Sequence, residues 1–72
     1  MSVHRIIQVA PLAEGWAVFC AGLEPLVFRS GRRAEEQARA LAAVLADLGR
    51  AVQVLIHDRS FTLVGTAYYP AT

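Results

Sequence analysis

Hydrophobic residues recur at helical spacing in one stretch of the chain, residues 33–48. Steps of four, three, four and three residues separate its apolar positions, and this spacing places them on one face of an α-helix. The positions are Ala34, Ala38, Leu41, Leu45 and Leu48, with Ala42 and Val44 widening the stripe. Ser30 is the predicted N-cap, because its hydroxyl can accept a hydrogen bond from a backbone N–H of the first turn. Gly49 suits the left-handed conformation that ends a helix.

Elsewhere the pattern is typical of short strands, which are rich in β-branched and aromatic residues and separated by turn-forming residues. The predicted strands are residues 3–10, 16–21, 26–29, 51–57 and 61–67. Pro11 and Gly15 bound a loop of hairpin length, residues 11–14, between the first two strands. A two-residue loop at Arg59-Ser60 would pair residue 56 with 63, 54 with 65 and 52 with 67 in a second hairpin.

Alternation along a strand sends neighbouring side chains to opposite faces of the sheet. In the second strand, one face carries Trp16, Val18 and Cys20, and the other carries Ala17 and Phe19. In the last hairpin, the face suited to the helix carries Val52, Val54, Ile56, Leu63 and Ala67. The opposite face has Leu55 and Val64 at an apolar middle with polar residues on either side. Both faces of the sheet are therefore apolar, although one helix covers only one of them.

These elements predict an α+β fold in the order β-β-(β)-α-β-β, an antiparallel sheet of four to five strands with one helix on one face. The 72 residues are expected to form a single domain, residues 1–72. A chain of this length buries only about 60% of its unfolded surface, so its stability is marginal unless something supplements the core. The single cysteine, Cys20, excludes an intramolecular disulfide. Tight packing or self-association is then the expected supplement.

The charge balance gives no reason to expect a partner of strong opposite charge. The net charge is +1, and all seven basic residues are arginine, so no global field attracts nucleic acid or membranes. Hydrophobic residues make up 56% of the chain, but no apolar run approaches the roughly 18 residues that a membrane span needs. Gln8 and Pro11 interrupt the apolar N-terminal region, and no signal peptide is evident. A cytoplasmic protein without a membrane partner is therefore expected.

Three segments carry a familiar pattern: Gly15-Trp16-Ala17-Val18, Phe28-x-Ser30 leading into an alanine-rich helix, and Val54-Leu55-Ile56-His57-Asp58. Together they resemble a family of small bacterial proteins, the domain-of-unknown-function family 2188. The resemblance extends over nearly the whole chain and implies a helix on an antiparallel sheet, with no established activity, cofactor or catalytic residue. The chain departs from the family pattern at Phe19, Cys20 and Ala21, where the family usually has a hydrophilic stretch. This departure makes the sheet more apolar than is usual in the family.

Few residues offer catalytic chemistry. Cys20 and His57 are a nucleophile and a base, but a reactive cysteine needs a histidine or another positive group beside it. Nothing in the sequence places His57 beside Cys20, and we interpret Cys20 as a buried strand residue. Two histidines are too few for a metal site, and no glycine-rich phosphate loop or pair of carboxylates is found. We therefore predict no enzymatic activity, no metal and no cofactor.

The sharpest polar cluster precedes the helix and consists of Arg29, Ser30, Gly31, Arg32 and Arg33. The free N–H groups at a helix N-terminus and the guanidinium groups of arginine bind phosphate, and a glycine lets an anion approach the backbone. This cluster favours contact with the phosphate backbone of DNA or RNA as an alternative function. The simpler interpretation is a solvated loop whose arginines pair with Glu35 and Glu36.

The leading hypothesis concerns the apolar residues on the side of the sheet away from the helix, Ala17, Phe19, Leu55 and Val64. Contiguous exposed apolar patches mark interaction surfaces. A second copy of the chain can pack sheet to sheet or add strands edge to edge. We therefore predict a small interaction or structural module that forms a homodimer through an apolar sheet face or edge, with nucleic-acid binding as the alternative.

Overall fold

A computed structural model describes residues 5–72, and these residues fold into five strands and one helix. The elements are β1 (Arg5–Leu12), β2 (Gly15–Cys20), β3 (Leu26–Phe28), α1 (Gly31–Asp47), β4 (Val52–His57) and β5 (Leu63–Tyr69). The strands form one sheet in the order β3-β2-β1-β4-β5. The α+β class and the order of the elements along the chain are confirmed. Val3 and His4, which the prediction included in the first strand, lie outside the described residues.

The sheet is mixed, which corrects the prediction of a wholly antiparallel one. β1 and β4 run parallel, with Arg5 opposite Val52 and Val9 opposite Ile56. The other three neighbouring pairs are antiparallel. Because β3 has the direction of β1, and α1 carries the chain back along the sheet, β4 enters in the direction of β1 as well. A parallel pair needs such a long crossover connection, which α1 and its flanking loops provide.

The first hairpin is longer than predicted. β1 continues to Leu12, Pro11 lies opposite Trp16, and only Ala13 and Glu14 form the turn. The predicted loop at residues 11–14 is therefore wrong. Proline is tolerated here because β4 pairs with β1 only as far as Val9. Beyond that point β1 has no strand on its β4 side, so the missing N–H of Pro11 costs no ladder hydrogen bond.

The second hairpin has a five-residue loop, residues 58–62, instead of the predicted two-residue loop. The Asp58 carboxylate accepts hydrogen bonds from the backbone N–H groups of Ser60 and Thr62 at 2.8 and 3.0 Å. The pairing shifts by two residues, so that Val54 lies opposite Ala67. A shift of two preserves the alternation of faces. Leu63 is the exception, because a β-bulge places it opposite His57 and away from the helix.

The helix begins at Gly31 and presents alanines to the sheet. Ser30 is the N-cap, as predicted, and its Oγ accepts a hydrogen bond of 3.1 Å from the Arg33 N–H. The buried positions are Ala34, Ala38, Ala42 and Ala46. Leu48 is the C-cap and is 72% exposed, and Val44 is 55% exposed. The predicted stripe is therefore wrong at these two positions.

The helix ends with a glycine in the left-handed conformation, as predicted. Gly49 has a φ of +90°. Its N–H donates to the carbonyl of Ala46, and the N–H of Arg50 donates to the carbonyl of Leu45. These two bonds form a Schellman motif, which satisfies carbonyl groups that the end of a helix otherwise leaves without partners.

The core lies between α1 and the sheet. Under the helix, the sheet contributes Ile7, Val9, Val18, Cys20, Val52 and Val54, all of which are buried. α1 contributes its four buried alanines together with Leu41 and Leu45, which are partly buried and pack against the core. The opposite face of the sheet has no such cover from any described residue.

Candidate interaction surface

The face of the sheet opposite the helix is lined by alternate residues of all five strands. The registers place on this face Ile6, Gln8, Ala10, Leu12, Ala17, Phe19, Val27, Gln53, Leu55, His57, Leu63, Thr66 and Tyr68. We call this set the uncovered face. It contains no arginine, aspartate or glutamate, in a chain that has seven arginines and six acidic residues.

Large apolar side chains reach solvent across the uncovered face. Ile6 is 45%, Phe19 38%, Val27 66% and Tyr68 55% exposed, and Leu55 is partly buried. Gln8 separates Phe19 from Leu55 in one row across three neighbouring strands. Single exposed apolar residues are common on soluble proteins, but a contiguous uncharged patch that spans a sheet is not.

The structure brings together most of the residues predicted for the interface. Ala17, Phe19 and Leu55 all lie on the uncovered face, as predicted from alternation. Ala17 is only 1% exposed, so its neighbours cover it and it offers little contact area to a partner. Val64 falls at the bulge of β5 without a partner on β4, and its side chain is 60% exposed. The sequence prediction missed Ile6, Val27 and Tyr68, although alternation from Phe19 and Leu55 through the sheet register would have found them.

The arginine cluster at the start of α1 is exposed but only partly available to an anion. Arg32 pairs with Glu36 at 3.6 Å, as the simpler interpretation of a solvated loop proposed. Arg29 and Arg33 form no ion pair with any residue in the described range 5–72. The first turn contains no acidic residue, so the positive end of the helix dipole keeps its field. Anion binding by this cluster stays a prediction.

Gly31 has a packing role that its place in the arginine cluster did not indicate. A Cβ atom at this position would lie 2.9 Å from Cε2 of Trp16, a distance that real Cβ atoms do not tolerate. The indole ring of Trp16 is partly buried and packs against the core. Gly31 therefore lets the ring approach the first turn of α1, and part of the surface offered to an anion is taken by the indole.

Arg59 also has a structural role, because it connects the loops of the two hairpins. Its guanidinium group donates hydrogen bonds of 2.8 Å to the carbonyl oxygens of Gly15 and Leu12. Its Cζ atom lies 5.1 Å from the centroid of the Trp16 ring, within the range of a cation–π contact. The loop between β4 and β5 is thereby fastened to the turn between β1 and β2. No pattern in the sequence signals this contact, because the two loops are far apart along the chain.

Cys20 and His57 are not brought together. Cys20 faces the helix and lines a small apolar pocket of about 220 Å³ with Leu23, Leu26 and Leu41. His57 is on the other face, where its Nδ1 lies 3.0 Å from the Val9 carbonyl oxygen and its ring lies beside Phe61. Among residues 5–72, no cluster of three or more histidine, cysteine or acidic side chains has the geometry to hold a metal ion.

Comparisons with known proteins give no relative from which to transfer a function. No family model matches the chain, and neither the curated proteins nor the solved structures contain a match. The resemblance to the domain-of-unknown-function family 2188 therefore stays a prediction. Within the described part of the chain, no helix is long and apolar enough to cross a membrane.

Proposed function

We propose that this protein is a small interaction module that self-associates, and that a second copy of the chain packs against the uncovered face. The observation that carries the proposal is the absence of charge from this face, together with its exposed apolar side chains. An antiparallel or mixed sheet with one solvated face normally alternates apolar and polar residues. Here the face that should be polar resembles a second core surface.

The uncovered face suits a copy of itself better than it suits a charged partner. In a symmetric dimer the same patch meets itself, so every charged residue near the axis would approach its own copy. The uncovered face has no such residue. Its polar side chains include Gln8 and Gln53, and an amide both donates and accepts hydrogen bonds. Each glutamine can therefore exchange a pair of N–H···O hydrogen bonds with the same residue of the second copy.

The size of the face predicts a reversible dimer. Five strands about 4.8 Å apart span about 19 Å, and the six residues of β2 extend about 20 Å. Such a face offers about 400 Å² per copy, or about 800 Å² for both, before side-chain relief is added. Stable interfaces bury roughly 1,200–2,000 Å² in total. The face-to-face contact alone thus belongs with weak interfaces, and its population should depend on concentration.

Nucleic-acid binding is the alternative, and it has less support. Its favourable features are the exposed Arg29 and Arg33 at the start of α1. The net charge of only +1 and the ion pair of Arg32 with Glu36 count against nucleic-acid binding. A cytoplasmic location and a bacterial origin are likewise proposals that derive from the sequence.

The proposal is tested by measuring molar mass by size-exclusion chromatography with light scattering over a wide concentration range. The single chain has a mass of 7.8 kDa, and we expect the mass to rise toward at least twice this value with concentration. Phe19→Glu places a carboxylate in the apolar contact, where an unpaired charge costs about 3 kcal/mol or more. We therefore expect this variant to raise the dissociation constant by at least about 100-fold.

Val44→Glu is the matched control, because Val44 is also an exposed apolar residue but lies on α1. This variant should leave the mass at each concentration unchanged. A wild-type chain that stays at the mass of one copy throughout would overturn the proposal. Equal dissociation by both glutamate variants would show that the contact is not on the uncovered face.

A further inference from the structure

β5 is an edge strand that carries neither of two common protections against pairing with another strand, charge and proline, and its bulge at Val64 lies near its start. It has seven residues, Leu63–Tyr69, and none of them is charged or a proline. Natural edge strands are commonly short, charged or interrupted by proline, because their outer backbone groups are a template for another strand. The opposite edge follows this rule, since β3 has only three residues. The two edges of the sheet thus differ in how well they are protected against pairing with another strand.

The backbone of Thr66 points outward from this edge. The Arg5 N–H donates to the Ala51 carbonyl at 3.0 Å, which fixes the alternation in β4. Val52 and Val54 consequently direct their backbone groups toward β5, where they meet Tyr69 and Ala67. Thr66 lies between these positions on the ladder, so its N–H and C=O face away from β4. No strand among the described residues pairs with that side of β5.

We propose that β5 pairs antiparallel with β5 of a second copy, around a two-fold axis at Thr66. Full overlap of Leu63–Tyr69 with its copy places Thr66 opposite Thr66 of the second copy and Gly65 opposite Ala67. The two threonines then exchange a pair of N–H···O bonds, and cross-strand threonine pairs are favourable. A second copy fits this edge because the two-fold axis places β5 against β5, and β5 carries no charged residue that would repel its own copy.

This edge contact extends the proposed function, since it adds to the face-to-face contact without using the same surface. Its axis is perpendicular to the sheet, so both helices stay on one side and the two uncovered faces become one continuous surface. The axis of face-to-face packing lies in the plane between the sheets. Where these two perpendicular two-fold axes intersect, they close into a tetramer of two ten-stranded sheets. The tetramer rests on the proposed function, whereas the edge contact by itself forms a dimer.

Backbone and side-chain variants separate the two contacts by molar mass. Thr66→Pro removes the outward N–H without taking a hydrogen bond from the ladder with β4, and proline is tolerated at such edge positions. We expect a tetramer for the wild-type chain, a dimer for Thr66→Pro, a dimer for Phe19→Glu and a single chain for the double variant. Thr66→Val retains the N–H and should stay tetrameric. A Thr66→Pro mass equal to that of the wild type would overturn the edge contact, whereas an unchanged Phe19→Glu mass would overturn only the face contact.

Amide hydrogen exchange keeps the edge contact testable even if Thr66→Pro unfolds. In the Phe19→Glu variant, the Thr66 amide should exchange freely when dilute and slow by about tenfold once nine in ten copies are paired. The Ala67 amide, which faces β4, should be protected at every concentration. Exchange of the Thr66 amide that does not depend on concentration would overturn the proposal.

Discussion

The outer surface of α1 and the uncovered face of the sheet are the two large surfaces of the molecule, and they differ in charge. The helix surface carries Arg32, Glu35, Glu36, Arg39 and Asp47. Two ion pairs join four of these side chains at i, i+4 spacing. The uncovered face carries no such residue. Both surfaces lie outside the core of one chain, so the requirement to bury a core does not explain why only one of them is charged.

The difference in charge is consistent with a core that buries little apolar area within one chain and would gain stability from further apolar burial. The fully buried helix positions are alanines, whose side chains bury far less area than a leucine, and Leu41 and Leu45 are only partly buried. Apolar burial stabilises by about 25 cal/mol per Å², so a helix that buries alanines gives the chain a small margin of stability. Burial of the uncovered face against a second copy would add apolar area where one chain has no further element to supply it.

The largest effect on stability should come from truncating an isoleucine on the core-facing side of β1, compared with the same truncation on the uncovered face. Ile7 is completely buried under α1, whereas its neighbour Ile6 lies on the uncovered face and is 45% exposed. In the Phe19→Glu background, Ile7→Ala should lower the free energy of unfolding by about 2–5 kcal/mol. Ile6→Ala should lower it by less than about 1 kcal/mol.

Urea unfolding followed by circular dichroism measures both variants. If Ile7→Ala is already unfolded, its loss exceeds the whole margin of stability and the contrast with Ile6→Ala is still decided. Similar losses for the two variants would contradict the assignment of the two faces.

The next largest effect on stability should come from Gly31, which lies at the start of α1 within the arginine cluster. Gly31→Ala forces a Cβ atom against the Trp16 ring and should cost about 1–3 kcal/mol as an overpacked contact. Gly65→Ala is the control, because its Cβ would meet only Ile56 at 3.8 Å, an ordinary contact. We expect Gly65→Ala to be neutral or to stabilise by up to about 1 kcal/mol. Thermal unfolding compares the two, and a harmless Gly31→Ala would mean that Gly31 is not needed for the approach of Trp16.

Local signals predicted the elements and their faces well. Ser30 and Gly49 marked the ends of the helix correctly because capping depends on adjacent residues. Ala17 and Phe19 were placed on the correct face by alternation along β2. Leu55 was placed correctly because the register error in the second hairpin was two residues, which preserves alternation. Leu63 escaped this rule because the bulge at Val64 resets the alternation.

Features that depend on distant parts of the chain could not be predicted. The parallel pairing of β1 with β4 is decided by where the helix returns the chain, which strand patterns do not encode. Gly31 was considered as part of a phosphate site, yet Gly31 and Arg59 both lie against Trp16. That indole is close to them only after folding. The extent of the uncovered face likewise required the register of all five strands, since each strand alone shows only one to four of its residues.

The smallest effect should come from removing charge on the helix side. Arg39 donates a hydrogen bond of 3.0 Å to Glu35, and this bond raises the pKa of Arg39, with a smaller contribution from Tyr69. Both side chains of the pair are substantially exposed, so water and salt screen their interaction. A double-mutant cycle with Glu35→Gln and Arg39→Gln should give a coupling of about 0.2–0.5 kcal/mol that shrinks in high salt. None of these variants should change the molar mass.

Tyr69 provides the one reason for a different result, because it is partly buried and packs against the core. If Arg39 holds Tyr69 in place, Arg39→Gln should cost more than Glu35→Gln, and Tyr69→Phe should remove that excess. A coupling between Glu35 and Arg39 above about 1 kcal/mol would exceed what an exposed pair supplies. It would show that the charged helix surface supports the core, and the contrast with the uncovered face would then reflect stability as well as association.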